Sequence, residues 1–456
     1  MARDVSDLER VTSRDQLVRW FESGAKSPDQ FKLGTEHEKF PFYRGDLSPV
    51  PYAGPRGIEA LLSGVASRLS WEKIEDRGHI IGLFDERGGG AISLEPGGQF
   101  ELSGAPLADV HATARELDEH LRVTHAVADA LGMGFLGLGM SPLWTLAQTP
   151  IMPKQRYAIM KNYMPKVGTH GLDMMFRTST VQVNLDYASE ADMVRKLRAS
   201  LALQPIVSAL FAASPFSDGK PNGFLSMRSE IWRDTDRARS GMLAFAFEPG
   251  MGFERYVDYA LDVPMYFVKR GDTYHDVAGA SFHDLLEGKL AQVPGEVATI
   301  SDWANHLGTI FPEVRLKRYL EMRGADAGPI THLNALPALF TGLLYDEIAL
   351  DGALELVKDW SAAMRQEVRD SVPRLALQAE IGGRRLDAVA RDMLELARAG
   401  LKRRAKLNES GHDETQFLEC LDEIASSGVT LAERLLQAFH GPWGGSVRPA
   451  FAEFLL

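Results

Sequence analysis

Two glutamates at alternating positions form the first candidate site. Glu36 and Glu38 lie in Gly34-Thr-Glu-His-Glu-Lys-Phe40, a segment with the alternation of a β-strand. Side chains in a strand point to alternate faces, so the two carboxylates share a face about 7 Å apart and repel each other. On a solvated strand this repulsion has little consequence, whereas a buried face would require cations. His37 points to the opposite face, where we expect a packing or surface residue.

The same pattern recurs in two further segments. Gln99 and Glu101 alternate with apolar residues, and Glu95 precedes a Pro-Gly-Gly turn. A third predicted strand, Thr178–Asp186, carries Gln182 on its polar face. Each of these segments is predicted to have one polar and one apolar face.

A fourth predicted strand, Lys317–Arg323, places Tyr319 on the same face as its charged residues. If all four polar faces line one concave side of a sheet, the following side chains meet in a single cleft: Glu36, Glu38, Glu95, Glu101, Gln182 and Glu321. Five carboxylates in one cleft require cations, and oxygen ligands suit Mg²⁺ or Mn²⁺ rather than Zn²⁺. Several divalent ions at one site are typical of chemistry on nucleotide phosphates.

Arginines supply the complementary charge. Arg177 precedes the third strand, Arg228 follows Leu225-Ser-Met, and Arg323 ends the fourth strand. A guanidinium group binds either a carboxylate or a phosphate in bidentate fashion, although each arginine alone could equally form a surface salt bridge. Acidic and basic residues interleaved on these strands favour a Mg²⁺-dependent enzyme that acts on ATP and an anionic substrate.

Length and composition limit the class of protein. The chain has 456 residues, with 62 acidic and 50 basic side chains and a formal net charge of −12, which argues against a general nucleic-acid-binding surface. The sequence has no apolar stretch of membrane-spanning length and no signal peptide, so we expect a cytoplasmic protein with no membrane partner. Cys420 is the only cysteine, which excludes an intrachain disulfide and cysteine-based metal sites.

Strands early and in the middle of the chain, with helices between and after them, predict an α+β fold with an antiparallel sheet. We expect one catalytic domain over residues 1–456, with a helical lead-in over 1–30 and a mainly helical part over 350–456. Pro205 is expected to end or kink a helix over Glu190–Ala213, and residues 224–274 are predicted to form short strands and loops.

A glycine pattern near the middle of the chain resembles a nucleotide-binding motif but lacks its context. Gly132-Met-Gly-Phe-Leu-Gly137 follows a predicted helix, whereas the dinucleotide fingerprint follows a strand and opens a helix. We therefore predict that Gly132 ends the helix and that the other glycines pack closely in a strand.

Longer ordered motifs show a family resemblance. The chain resembles the glutamate–cysteine ligases of the plant and proteobacterial type from about residue 30 to its carboxyl terminus. The motifs that carry the resemblance are Gly34–Phe40, Leu94–Gly104, Arg156–Val167, Thr180–Asp186, Gly219–Ser229 and Phe311–Asp326.

The resemblance implies the first step of glutathione biosynthesis. ATP would phosphorylate the side-chain carboxylate of glutamate, and the amine of cysteine would attack the γ-glutamyl phosphate. The implied fold is that of the glutamine synthetase-like carboxylate–amine ligases, a curved antiparallel sheet that forms a funnel and is flanked by helices. The implied cofactors are ATP and Mg²⁺, with Mn²⁺ possible, and the expected assembly is a monomer or weak homodimer.

The resemblance also implies roles for individual residues. The metal ligands would be the acidic and amide side chains of the predicted cleft, of which Gln182 is the weakest ligand. Arg228 would bind the α-carboxylate of glutamate, and Arg323, with Lys317, would bind the nucleotide phosphates. Candidates for the walls of the glutamate and cysteine pockets, which could equally be core residues where aromatic, are Arg177, Trp232 and Tyr266.

One departure from the plant enzymes concerns redox control. Those enzymes carry cysteines that form regulatory disulfides, one of which corresponds to Ser179 here. With Cys420 as the only cysteine, we expect neither redox activation nor redox-linked dimerisation. Two alternative functions stay open from the sequence, a ligase of the same fold that uses another amine, and a non-catalytic binding homologue.

Overall fold

The computed structural model of the protein describes residues 7–456, in which strands alternate with helices in the first half and helices dominate after β15. The strands are β1 (Leu33–Tyr43), β2 (Glu72–Asp76), β3 (His79–Phe84), β4 (Ala91–Leu94), β5 (Phe100–Ser103), β6 (Met133–Leu136), β7 (Thr180–Leu185), β8 (Phe216–Ser217), β9 (Lys220–Pro221), β10 (Ser240–Gly241), β11 (Phe267–Arg270), β12 (Thr273–Asp276), β13 (Phe311–Pro312), β14 (Val314–Leu316), β15 (Leu320–Asp326), β16 (Glu380–Ile381) and β17 (Arg384–Arg385).

The α-helices connect these strands and form most of the carboxyl-terminal part. They are α1 (Arg14–Glu22), α2 (Ile58–Leu69), α3 (Val110–Ala128), α4 (Gln155–Tyr163), α5 (Gly171–Arg177), α6 (Glu190–Leu210), α7 (Met227–Ile231), α8 (Phe253–Asp262), α9 (Phe282–Leu286), α10 (Ile300–Leu307), α11 (Ile330–Leu344), α12 (Glu347–Val357), α13 (Ala362–Leu375), α14 (Leu386–Arg404), α15 (Glu419–Ser427), α16 (Leu431–His440) and α17 (Ala450–Glu453). No helix within residues 7–456 is long and apolar enough to cross a membrane.

A nine-stranded sheet forms the centre of the fold. Its strand order is β14-β15-β7-β1-β5-β4-β3-β2, with β6 paired to the far end of β1. All of these pairs are antiparallel. The α+β class with an antiparallel sheet, predicted from the alternation of polar and apolar residues, is therefore confirmed.

Strand register brings the polar positions of neighbouring strands together. Glu38 lies opposite Glu101 across the β1–β5 pair. On the other side of β1, Glu36 lies opposite Gln182 of β7. Because residues opposite each other in an antiparallel pair project to the same face, one face of the sheet collects the polar side chains of β1, β5 and β7.

The opposite face of the sheet belongs to the hydrophobic core. Phe100, Val181 and Met322 are fully buried there, and helices α6 and α11 pack against β15, β7 and β1. His37 is also buried, with its ring 5.4 Å from that of His120. The prediction that His37 points away from the acidic face, as a packing residue, is confirmed.

Two local predictions are wrong, and a third is decided in part. Of the two outcomes predicted at Pro205, an end or a kink, the structure excludes the end, because α6 continues through Pro205 to Leu210. The second half of the helix is almost entirely buried, and its packing compensates for the missing N–H. Residues 224–274 contain helices α7 and α8 among short strands. The apolar residues of α8 recur with helical spacing, a signal that the many aromatic side chains obscured.

The second error concerns the fourth strand. Residues 317–319 form the turn between β14 and β15, where the backbone N–H of Lys317 donates to the carbonyl of Tyr319 at 2.8 Å. The strand itself begins at Leu320. Gly132, by contrast, adopts a left-handed conformation with φ of 70° at the end of the helical segment before β6, as predicted.

Candidate active site

A cavity of about 150 Å³ opens on the polar face of the central sheet. Strands β1, β5 and β7 contribute its floor, and α7, α10 and the β14–β15 hairpin contribute walls. The sequence-predicted site residues that line it are Glu36, Glu38, Glu95, Glu101, Gln182, Arg228, Trp232, Lys317 and Arg323. The structure thus brings most of the predicted residues into one cavity.

Three predicted residues do not line this cavity. Arg177 donates to Asp173 at 3.0 Å and to Asp218 at 2.7 Å, so its charge is already neutralised. Tyr266 is 1% exposed and packs beneath the guanidinium of Arg239, 3.7 Å from the ring centroid, as a core residue would. Glu321 is fully buried beneath basic side chains that do line the cavity.

Carboxylates dominate one half of the cavity. Glu38 accepts a hydrogen bond from the backbone N–H of Thr180 at 3.1 Å, and Glu101 accepts one from the hydroxyl of Ser93 at 3.0 Å. Burial raises the pKa of Glu38 well above its usual range, and the nearby charges of Glu95 and Glu101 raise it further. Ionisation of Glu38 is therefore unfavourable by itself, and a cation bound beside these carboxylates would stabilise the ionised form.

Basic groups surround Glu321 in the other half. Arg315 donates to both carboxylate oxygens of Glu321, at 2.6 and 2.9 Å, and the Lys317 ammonium lies 3.0 Å from one of them. Arg323 also contacts this carboxylate. Burial alone would raise the pKa of Glu321, but the three basic groups hold it well below its usual range. One carboxylate among three cations leaves this half with excess positive charge.

The pairing of β15 with β7 is irregular beside Arg323. Met322 pairs with Val183 and Ala325 with Val181, so β15 has one residue more than β7 between these pairs, as in a β-bulge. Immediately before the extra residue, Arg323 donates to the side-chain oxygen of Gln182 at 2.6 Å. The bulge thus lies at the point where β15 presents a guanidinium to the cavity.

Helix α7 contributes Arg228, and the residue after the helix is Trp232. Arg228 is 3% exposed, donates to the backbone carbonyl of Arg323 at 2.9 Å, and lies 5.9 Å from the Trp232 ring centroid. The indole Nε1 of Trp232 is buried and has no hydrogen-bond partner within residues 7–456. A guanidinium beside an aromatic wall with an unpaired donor suits a small anionic substrate.

The turn after Glu95 is fixed by backbone contacts. The side chain of Gln99 donates to the carbonyl of Thr178 at 2.8 Å and accepts from the N–H of Gly97 at 2.9 Å. A Cβ on Gly97 would lie 2.3 Å from the carbonyl oxygen of Phe176, so this position requires glycine. Close packing of the turn against α5 therefore places Glu95 at the cavity.

Several cavity residues were not predicted from the sequence. Arg315 shares the hairpin with Lys317 but lies before the segment read as the fourth strand. Its alternation with Lys317 and Glu321 is a signal that could have identified it. Arg156 and Tyr157 lie in the RYAIMKNYMPKV motif; the Tyr157 hydroxyl donates to the carbonyl of Leu94 at 2.6 Å, a long-range contact without a local sequence signal.

The donor set fits a hard divalent cation in part. Glu38, Glu95 and Glu101 offer oxygen ligands, and their mutual repulsion would be relieved by Mg²⁺. Glu321 is already neutralised by arginine and lysine. Within residues 7–456, no three Asp, Glu, His or Cys side chains converge closely enough to hold a metal ion in this conformation. The six-residue ligand set therefore stays a prediction.

Comparison with solved structures defines the class of fold. A glutamate–cysteine ligase from Francisella tularensis, solved in complex with AMP, superposes with a TM-score of 0.54 and covers 90% of this chain and 85% of that chain at 12% identity. With its antiparallel sheet and flanking helices, the protein therefore shares the fold of this ligase.

Sequence comparison narrows this class to one family. The model of glutamate–cysteine ligase family 2 matches residues 32–453, and the chain belongs to this family. The chloroplastic glutamate–cysteine ligase of Nicotiana tabacum is 56% identical over 97% of this chain and 83% of its own length. The chloroplastic enzyme of Arabidopsis thaliana is 55% identical over the same shares. The predicted family resemblance is confirmed.

Proposed function

We propose that the protein is an ATP-dependent glutamate–cysteine ligase, which forms γ-glutamylcysteine in the first step of glutathione biosynthesis. The observation that carries this proposal is the division of one cavity into an acidic and a basic half. A ligase that joins two amino acids at the expense of ATP must bring a carboxylate close to a triphosphate. High identity to plant glutamate–cysteine ligases over nearly the whole chain supports the same activity.

The proposed reaction has two steps. A γ-carboxylate oxygen of glutamate attacks the γ-phosphorus of ATP, the bond to the β-phosphate oxygen breaks, and ADP leaves. The amine of cysteine then attacks the γ-carbonyl carbon, phosphate leaves, and the amine loses a proton. The products are γ-glutamylcysteine, ADP and phosphate.

Basic and aromatic residues of the cavity would bind the anionic groups. Arg228 is the proposed partner of the glutamate α-carboxylate, since a buried guanidinium binds a carboxylate in bidentate geometry. Arg323 and Lys317 would bind the phosphates. Arg315 holds the carboxylate of Glu321, which lies between these two basic groups. The unpaired indole N–H of Trp232 would donate to a bound substrate.

Residues of the acidic half would hold the metal. We propose Glu38, Glu95 and Glu101 as Mg²⁺ ligands, and keep Glu36, Gln182 and Glu321 as further members of the predicted set. When bound, Mg²⁺ would neutralise charge on the triphosphate and so lower the barrier to phosphoryl transfer. For Glu321 to bind the metal, the ion pair between Arg323 and Glu321 must break.

The remaining expectations concern the whole chain. We keep the proposals of a single catalytic domain, a monomer or weak homodimer, and a cytoplasmic location. The plant relatives are named as chloroplastic proteins, so fractionation of cells that express this chain is the test of its location.

A substrate-omission assay tests the activity. Purified protein with glutamate, cysteine, ATP and Mg²⁺ should release ADP and form γ-glutamylcysteine in equal amounts, measured by coupled ADP detection and mass spectrometry. Omission of any one component should abolish product formation.

A panel of amines in place of cysteine separates the alternative functions. If cysteine fails and another amine supports ADP release, the protein is a glutamate ligase with a different acceptor. If no amine supports turnover while glutamate and ATP still bind, the protein is a non-catalytic homologue. Either result would overturn the proposal.

A further inference from the structure

Asp326 lies at the end of β15, behind the cavity wall and outside its lining. It is 1% exposed, and its carboxylate accepts hydrogen bonds from the hydroxyl of Ser214 at 2.6 Å, the hydroxyl of Ser226 at 2.9 Å and the N–H of Ala213 at 3.0 Å. A buried carboxylate satisfied by two hydroxyl groups and a backbone amide is a rigid anchor.

Both hydroxyl groups also accept hydrogen bonds from backbone N–H groups of α7. The Ser214 hydroxyl accepts from the backbone N–H of Arg228 at 3.1 Å. The Ser226 hydroxyl caps the helix by accepting from the N–H of Ser229 at 3.1 Å. Two hydrogen-bonded paths therefore lead from Asp326 to consecutive amides of the segment that carries Arg228.

Helix α7 needs such an anchor. It has only five residues, too few to fix its own orientation through helical hydrogen bonds. Arg228 nevertheless reaches the cavity in a defined position, where it donates to the carbonyl of Arg323 at 2.9 Å. Asp326 belongs to the same strand as Arg323, so the carboxylate joins α7 to β15 at a second point.

The glycine at position 139 leaves room for the side chain of Asp326. A Cβ on Gly139 would lie 2.5 Å from both the Cβ and the Cγ of Asp326. Absence of a side chain at this position therefore lets the carboxylate reach the two serine hydroxyl groups.

We propose that Asp326 is a positioning residue that, through Ser214 and Ser226, orients Arg228 for the α-carboxylate of glutamate and so contributes to the selection of α-amino acids. This inference rests on the proposed function, in which Arg228 binds that carboxylate. Because Asp326 acts through another residue, its loss should alter recognition of the α-carboxylate rather than the phosphoryl transfer itself.

Two variants and a pair of substrates test this role. Asp326→Asn and Ser214→Ala each break the path to Arg228. The measurement is the KM and kcat for glutamate and for 4-aminobutyrate, which keeps the reacting carboxylate and the amine but lacks the α-carboxylate. We expect both variants to raise the KM for glutamate about tenfold or more, since misplacement of a binding group by 1 Å has effects of this size. The KM for 4-aminobutyrate should change less than about twofold, and kcat at saturating glutamate should stay within the same limit.

Matched controls separate positioning from a general loss of stability. Asp186 is a buried aspartate at the other end of the sheet, bound to Lys26 at 2.6 Å, and Asp186→Asn should lower stability without changing the preference for glutamate. The buried hydroxyl of Ser200 has no hydrogen-bond partner in the described part of the chain, so Ser200→Ala should leave both KM values unchanged.

Each outcome decides the inference. A wild-type protein that forms no γ-glutamylcysteine contradicts both the proposed function and this role. A wild type that is active and variants that keep the wild-type preference contradict the role alone. If Asp326→Asn does not fold, Ser214→Ala alone decides, because it leaves the buried carboxylate with two of its three donors.

Discussion

Glu38 and Glu321 show how the same type of side chain acquires opposite properties in one site. The pKa of Glu38 is raised by burial and by neighbouring carboxylates, whereas three basic groups hold the pKa of Glu321 low. A cation added near Glu38 gains attraction and relieves repulsion, but a cation added near Glu321 must compete with arginine and lysine. The acidic half is therefore the part of the cavity that gains most from metal binding.

Replacement of Glu38 by glutamine tests this difference. Because Glu38→Gln removes a charge but keeps the shape, we expect ADP formation to fall by about 100-fold or more. Mn²⁺ binding, measured directly by electron paramagnetic resonance, should weaken in parallel. Glu116→Gln, a half-buried glutamate outside the cavity lining, is the matched control for activity. Undiminished ADP formation in Glu38→Gln would place Glu38 outside catalysis.

Glu116 itself should make stability depend on pH. Burial raises its pKa to about 7, and its Oε1 accepts from the N–H of Ala105 at 2.8 Å. Its Oε2 is buried and has no hydrogen-bond partner among the described residues. Between the ordinary glutamate pKa and 7 the folded state binds more protons than the unfolded state. The contribution of Glu116 to the free energy of unfolding therefore falls as the pH rises through this window.

Glu116→Gln removes this titration while keeping the hydrogen bond to Ala105. We expect the variant to gain about 2 kcal/mol over the wild type between pH 5 and pH 8, measured by urea unfolding. Glu119→Gln, on the same helix but paired with Arg122 at the surface, should show no such gain. An equal pH dependence in wild type and Glu116→Gln would contradict the assignment.

The thiol of Cys420, the only cysteine, should react slowly. Burial raises the pKa of the Cys420 thiol to about 11, and thiolate is the reactive form. We expect dithiothreitol to leave activity unchanged, and iodoacetamide at pH 8 to label the folded protein far more slowly than the urea-unfolded protein. A several-fold drop in activity on reduction would contradict the predicted absence of redox control.

At the scale of elements, alternation along the strands explains what the sequence predicts well. Glu36, Glu38, Glu101 and Gln182 reach one cavity because strand periodicity assigns their face without knowledge of the fold. Alternation does not predict turns or contacts between distant residues. The burial of Glu321 beneath Arg315 depends on where the β14–β15 turn falls, which alternation does not determine.

The residues to which the resemblance assigns substrate binding are not all found at the cavity. Arg228 and Trp232 line the cavity, but Arg177 and Tyr266 do not. Arg177 forms an ion pair with Asp173, four residues earlier in α5. The sequence predicts this pair only if the segment is recognised as a helix. The packing of Tyr266 against Arg239 joins distant segments and has no local signal.

The turn between β4 and β5 offers a prediction at this scale. Gly97→Ala places a methyl group against the Phe176 carbonyl, so the turn must move away from α5 and take Glu95 with it. We expect a loss of about 1–3 kcal/mol in stability and a rise in the KM for Mg²⁺–ATP. Gly45→Ala is the matched control, because no atom of residues 7–456 lies within 4 Å of its new Cβ. Unchanged kinetics in Gly97→Ala would show that Glu95 does not depend on this packing.

For the whole molecule, one core connects the sheet to the helical carboxyl-terminal part. The main buried cluster extends from Val11, just before α1, to Leu456. A second cluster joins Phe40 and Phe42, at the end of the strand that carries Glu36 and Glu38, to residues of α16 and α17. Loss of the helical part would therefore expose apolar side chains of the central strand itself, which supports a single cooperative unit.

Phe451→Ala tests this cooperativity from the far end of the chain. The Phe451 ring is buried and meets the Phe42 ring edge-on at a centroid distance of 4.9 Å, so its truncation should cost about 3–5 kcal/mol. If the chain unfolds as one unit, far-ultraviolet circular dichroism and tryptophan fluorescence should report one transition that shifts as a whole. Leu455→Ala, at a position 41% exposed, should have a much smaller effect. Two separate transitions, with only one shifted by Phe451→Ala, would instead show that the helical part is an independent domain.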